Sequence, residues 1–157
     1  MRYVTIKRDS STPSRTRSVG MTEGFEVPNE RAWSSVASRV ASVIKPGTVL
    51  AISGPLGAGK TTFIQALARE LGVKKTPPSP TFALLRSYAF PRRKDGLSRL
   101  VHVDAYRIED PKDATALDLD EELADGKSTL AVEWAENLGG FLDRYDVIRM
   151  AISHSEG

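Results

Sequence analysis

Gly47-Thr48-Val49-Leu50-Ala51-Ile52-Ser53-Gly54-Pro55-Leu56-Gly57-Ala58-Gly59-Lys60-Thr61-Thr62 is the stretch whose reading decides the fold. Its first half is a β-branched apolar run, which reads as a strand. From Gly54 to Thr61 it spells G-x-x-x-x-G-K-[ST], the phosphate-binding loop. Phe63, Ile64, Leu67, Ala68 and Leu71 then recur at helical spacing, and Gly72 stands where a helix stops. Strand, loop and helix follow in the order the motif requires. Residues of the segment Gly54, Pro55, Leu56, Gly57, Ala58 and Gly59 turn backbone N–H groups inward around a polyphosphate, which a Cβ at the glycines would hinder. Lys60 supplies positive charge and Thr61 an oxygen for Mg²⁺. The helix start, with Thr62, adds its orphan N–H groups and positive dipole end to the anion site. The ligand to expect is a nucleoside triphosphate.

A chain of 157 residues suits one domain that needs neither metal nor disulfide to hold it. With no cysteine there is no disulfide framework, thiol nucleophile or cysteine-based zinc site. No apolar run is long enough for a membrane span or a secretory signal, so a cytoplasmic protein is expected. The net charge of +2 is unevenly spread. Residues 1–20 hold Arg2, Lys7, Arg8, Arg15 and Arg17 against Asp9 alone, which leaves residues 21–157 mildly acidic. A basic groove for RNA along the body is therefore not indicated, and any RNA is expected to be held by a partner.

Residues 1–20, rich in Ser, Thr and Arg and without apolar periodicity, read as a disordered basic extension, with 21–157 as the single phosphate-loop domain. An organelle transit peptide, a basic tail that touches RNA or a partner, and a true start at Met21 all account for the extension. From Asn29, a candidate N-cap, Trp33, Val36, Ala37, Val40, Ala41 and Ile44 mark one helix face that ends before Pro46. Pro77-Pro78-Ser79-Pro80 breaks the chain, and segments 81–89 and 97–103 read as an antiparallel hairpin within an otherwise parallel sheet. The Arg92-Arg93-Lys94-Asp95-Gly96 cluster at its tip reads as a solvated turn rather than a phosphate site. Residues 110–125 suggest a short surface helix, 129–133 a buried strand, and 147–152 the last strand. The fold class is α/β, a three-layer sandwich of the phosphate-loop NTPase kind with a mixed, mostly parallel sheet.

A phosphate loop needs acids at neighbouring strand ends to hold Mg²⁺ and orient water, because ligands of open α/β sheets sit at the carboxyl ends of strands. Asp104 after Leu100-Val101-His102-Val103 and Glu133 after Leu130-Ala131-Val132 occupy such positions. His102 reads as a strand histidine hydrogen-bonded beside Asp104 rather than as a catalytic base.

Gly54 to Thr62, Ser79-Pro80-Thr81-Phe82, His102-Val103-Asp104-Ala105-Tyr106-Arg107 and Val132-Glu133-Trp134-Ala135-Glu136 stand in the order and approximate spacing of the TsaE (YjeE) family. The chain resembles that family over roughly residues 25 to 153. The resemblance implies a Mg²⁺-dependent ATPase of the tRNA threonylcarbamoyladenosine modification, working with a TsaB–TsaD-type complex. It also implies roles: Lys60 bridging the β- and γ-phosphates, Thr61 on Mg²⁺, and Glu133 as metal-side carboxylate or water-positioning group. Thr81 would sense the γ-phosphate, and Asp104 would complete the hydrolytic cluster. Trp134 resembles the family's tryptophan, structural or at a partner surface. Two departures stand out. Trp33 occupies a place near the nucleotide base where the family often has threonine, so its indole either stacks on adenine or packs in the core. Many relatives also continue beyond the position of Gly157 into a further strand and a basic segment, and a missing edge would weaken nucleotide affinity or leave that surface dependent on a partner.

A small-molecule kinase is the competing expectation, though the only dense basic cluster lies on the hairpin tip rather than in a lid. A GTP switch would need Asn-Lys-x-Asp and Asp-x-x-Gly, and neither is present.

Overall fold

The computed structural model describes residues 1–8, 21–74 and 85–154. Among them, seven strands form one sheet in the order β2-β1-β7-β3-β6-β5-β4. They are β1 (Arg2–Arg8), β2 (Met21–Val27), β3 (Thr48–Ser53), β4 (Leu85–Ala89), β5 (Arg99–Asp104), β6 (Ser128–Glu133) and β7 (Asp146–His154). The four central strands β7, β3, β6 and β5 run parallel, and antiparallel partners flank them. β4 and β5 form the expected hairpin, with Leu85 opposite Val103 and Ala89 opposite Arg99. The α/β architecture read from the sequence is the one observed.

Because side chains alternate across a strand, each sheet face collects its own core. Leu50 and Ile52 of β3 pack with helices α1 (Trp33–Val43) and α2 (Lys60–Leu71), while Val49 and Ala51 face the other layer. That layer comprises a 3-10 helix at Pro111–Leu117, the short helix α3 (Leu119–Leu123) and a 3-10 segment at Ala135–Arg144. The single surface helix expected over 110–125 is thus divided in two. Asp118 stands between the halves with φ of 48°, and Asp110 caps Lys112 N–H just before Pro111.

The Asn29 side chain accepts Ala32 N–H at 3.1 Å, but it caps a 3-10 turn, Glu30–Ala32, that leads into α1. Buried Trp33, Val36, Ala37 and Val40 are the inward stripe of α1. α2 closes as a Schellman turn at Gly72, whose φ is 100°: Val73 N–H reaches Ala68 O at 2.9 Å and Gly72 N–H reaches Arg69 O at 3.1 Å.

The N-terminal reading needs correction. Residues 2–8 are not an extension but strand β1, paired with β2 on one side and β7 on the other. Val4 and Ile6 are buried under the helices, and the hydrophobic gain of two enclosed side chains outweighs the polar flanks that made the segment look unstructured. Arg8 fixes the far end of the strand, donating to Val43 O at 3.2 Å and to Asp146 at 3.3 Å. The last strand is not a sheet edge among the described residues, since β1 pairs with β7. The other part of that extension, residues 9–20, lies outside the described residues.

Candidate functional site

Parallel register assembles the site. Ile52 pairs with Glu133, and Glu133 pairs with Asp104, so β3, β6 and β5 present one row at their carboxyl ends. The loop from Gly54 to Gly59 leaves β3 above that row and enters α2 at Lys60. Two of its glycines are dictated by contact. A Cβ on Gly54 would lie 2.6 Å from Ile152 O, and one on Gly59, where φ is 110°, would lie 2.7 Å from the Trp33 ring. Any side chain at either position pushes the loop off its supports.

Trp33 is therefore the floor of the loop and not a base platform. It is 1% exposed and tilts against Phe63 with ring centres 5.9 Å apart, so of its two expected roles the structure takes core packing. Stacking on adenine is excluded by burial.

Glu133 and His102 project from the sheet on the face that carries α2, sharing parity with Ala131 and Leu100. The Thr61 hydroxyl donates to Glu133 Oε1 at 2.7 Å, and His102 Nε2 lies 2.6 Å from Glu133 Oε2. Burial works to raise the Glu133 pKa, but the His102 hydrogen bond and charge, the Thr61 hydroxyl and Lys60 outweigh it and hold the carboxyl below its usual 4.5. As a carboxylate Glu133 accepts only, so His102 Nε2–H is the donor. The sequence reading paired His102 with Asp104; the structure pairs it with Glu133. Asp104 itself turns Oδ1 to Tyr106 N–H at 3.0 Å.

Lys60 Nζ donates to Gly54 O at 2.6 Å and Pro55 O at 2.9 Å, and lies 4.0 Å from the centre of the Trp134 ring. Burial lowers its pKa from 10.5, against the opposing pull of Glu133, Glu136 and Asp104. Trp134 holds its place at a cost, with a φ of 56° that non-glycine residues seldom adopt, and its ring also meets Tyr106 at 5.0 Å. Sequence reasoning did not assign Glu136 to the electrostatics of the site, although its place three residues after Glu133 put it within range.

A cleft of about 220 Å³ opens here, lined by Arg2, Leu56, Gly57, Gly59, Lys60, Thr61, Thr62, Glu133 and Trp134. It is smaller than the roughly 300–1,000 Å³ of pockets that engulf whole ligands, and suits a phosphate chain with the remainder lying outside. Asp104 borders the row without lining the cleft. Thr81 and the Ser79–Phe82 motif lie outside the described residues. Among those described, no cluster of three or more His, Cys, Asp or Glu is placed for a metal, and the oxygens that Thr61 and Glu133 bring together are the pair that could meet a divalent cation. That oxygen pair fits Mg²⁺, which keeps waters and takes substrate phosphate oxygens for its other positions. Because Thr61 spends its hydrogen on Glu133, its lone pairs remain for a cation.

Residues 27–157 match the family described as threonylcarbamoyl adenosine biosynthesis protein TsaE. The chain belongs to the TsaE family. Curated TsaE proteins, each called tRNA threonylcarbamoyladenosine biosynthesis protein TsaE, agree. The one from Mycobacterium tuberculosis is 37% identical over 147 residues, 87% of this chain and 85% of that protein. The one from Streptomyces coelicolor is 41% identical over 120 residues, 76% of this chain and 77% of that protein. For the Bacillus subtilis TsaE the match is 39% over 107 residues, 68% of this chain and 63% of that protein. The crystal structure of Bacillus subtilis YdiB superposes with a TM-score of 0.60 at 29% identity, covering 83% of this chain and 76% of that one. In this TsaE member the Gly54–Gly59 loop follows a central parallel strand, and no helix among its described residues is long and apolar enough to cross a membrane.

Proposed function

We propose that this TsaE-family protein is a Mg²⁺-dependent ATPase that supports tRNA threonylcarbamoyladenosine formation through a TsaB–TsaD-type complex in the cytoplasm, with tRNA held by that complex. The observation that carries the reading is the 2.7 Å bond between Thr61 of the loop and Glu133 of the adjacent strand. It puts a hydroxyl and an ionised carboxylate side by side at the mouth of an amide-lined loop, the donor pair that a nucleotide-bound Mg²⁺ needs. When bound, Mg²⁺ neutralises charge on the phosphates.

The amides of Lys60, Thr61 and Thr62 have no acceptor within the first turn of α2 and face the phosphates. Lys60 moves from the loop carbonyls to the β- and γ-phosphate oxygens. Glu133, committed to Thr61 and His102, takes the metal-side role. Asp104, with Oδ2 free of the Tyr106 bond, orients the water whose oxygen attacks the terminal phosphorus. The bond from that phosphorus to the bridging oxygen breaks, ADP leaves, and the water's proton departs with phosphate. Thr81 senses the γ-phosphate in this reading.

The test is ATP turnover with Mg²⁺, alone and with the TsaB and TsaD proteins. Slow basal turnover that rises with the partners is expected. An inert protein under both conditions, or an unchanged rate, sinks the proposal.

A further inference from the structure

Resting on that nucleotide-binding reading, we propose that Arg2 binds the phosphate chain of the nucleotide, a second cation beside Lys60 that is delivered by a strand preceding the family match. The match begins at residue 27, whereas β1 ends at Arg8.

Register brings Arg2 to the loop. β1 runs antiparallel to β7, so Arg2 stands opposite His154, at the same end of β7 where Ile152 O abuts Gly54. Alternation then chooses the face. Val4 and Ile6 are buried beneath α1 and α2, and Arg2 shares their parity, at the open end of that layer where α2 begins. Its side chain accordingly lines the cleft with Leu56, Gly57, Lys60 and Thr62.

The two arginines of β1 end differently. Arg8 has the same parity but lies at the opposite end, where Asp146 and Val43 O hold its guanidinium. The Nε of both is enclosed without an acceptor, but Arg2, unlike Arg8, has no carboxylate or carbonyl anchor for the rest of its guanidinium among the described residues. A guanidinium in a narrow cleft, with an enclosed N–H that finds no acceptor, is costly until an anion arrives, and its planar fork suits phosphate oxygens. Gly57 and Thr62 share the cleft with it, so phosphate drawn onto the loop amides comes within the same enclosure.

Calorimetric titration of ATP with Mg²⁺ into the full chain tests this, using Arg2→Gln, Arg2→Lys and, as a control on the underlying reading, Lys60→Ala. Arg2→Gln is expected to weaken ATP binding about tenfold and to make it less sensitive to ionic strength, with Arg2→Lys restoring the charge and only part of the affinity. A second measurement needs no variant: ATP should protect Arg2 of the wild-type protein from phenylglyoxal, read by mass spectrometry. Wild-type affinity in Arg2→Gln while Lys60→Ala is impaired, or equal Arg2 modification with and without ATP, overturns the proposal and leaves the ATPase reading standing. A wild-type chain that binds no ATP overturns both.

Discussion

Glu133 joins polar groups of the site from two other elements, Thr61 of α2 and His102 of β5. The residue is 4% exposed, and its carboxylate touches a hydroxyl, an imidazole and the field of a lysine. Because Glu133 and Asp104 are assigned different roles, their isosteric variants should separate. Glu133→Gln is expected to lose Mg²⁺-dependent nucleotide affinity and turnover together, whereas Asp104→Asn should keep ATP binding and lose turnover by roughly 10²-fold or more. Paired binding and rate measurements on the two variants decide it: equal affinity in both would refute the division of roles, and loss in Asp104→Asn alone would reverse it. The depressed pKa adds a stability prediction. A folded-state value below 4.5 contributes stability that is present above that pH and is lost as pH falls through the folded value. Acid unfolding of Glu133→Gln should therefore be less steep below about pH 4.5 than that of the wild type, followed by circular dichroism.

At the scale of elements, the hairpin tip illustrates how tertiary contact redefines a charge cluster. Arg92-Arg93-Lys94 reads as solvated, yet Arg93 donates to Ala41 O at 2.6 Å and to Ile44 O at 3.2 Å, at the C-terminal end of α1. Arg8 reaches Val43 O in the same terminal turn, so two guanidinium groups from distant segments satisfy carbonyls that the helix itself leaves open. This use of Arg93 also removes it from any kinase-like lid. Arg93→Ala should destabilise the protein by about 1–2 kcal/mol in urea unfolding while leaving ATP binding unchanged. No loss of stability would mean the contact contributes nothing. The elements α1, β3, α2 and the β4–β5 hairpin were legible because their signals are local: 3.6-residue periodicity, a β-branched run, a stop glycine. The split at Asp118 was not, since four apolar residues satisfy one short helix as well as two.

For the whole molecule, the decisive feature is that β1 lies inside the sheet, between β2 and β7, rather than trailing from it. Ile6→Ala should therefore cost about 2–5 kcal/mol, the range for removing a buried aliphatic side chain, whereas a dangling extension would show no change. Thermal or denaturant unfolding distinguishes the two. The family model matches residues 27–157, so β1 lies outside the matched segment, and it is the strand that brings Arg2 to the cleft.

The amino-acid order alone determined the phosphate loop, its flanking strand and helix, and the two acids at strand ends, because each depends on neighbours within a few residues of itself. Which acid meets Thr61, which one His102 supports, and whether Trp33 faces a ligand or the core were decided only when separate strands came into register. So was the place of β1: its pairing joins residue 2 to residue 154, and no local pattern encodes an interaction over that distance.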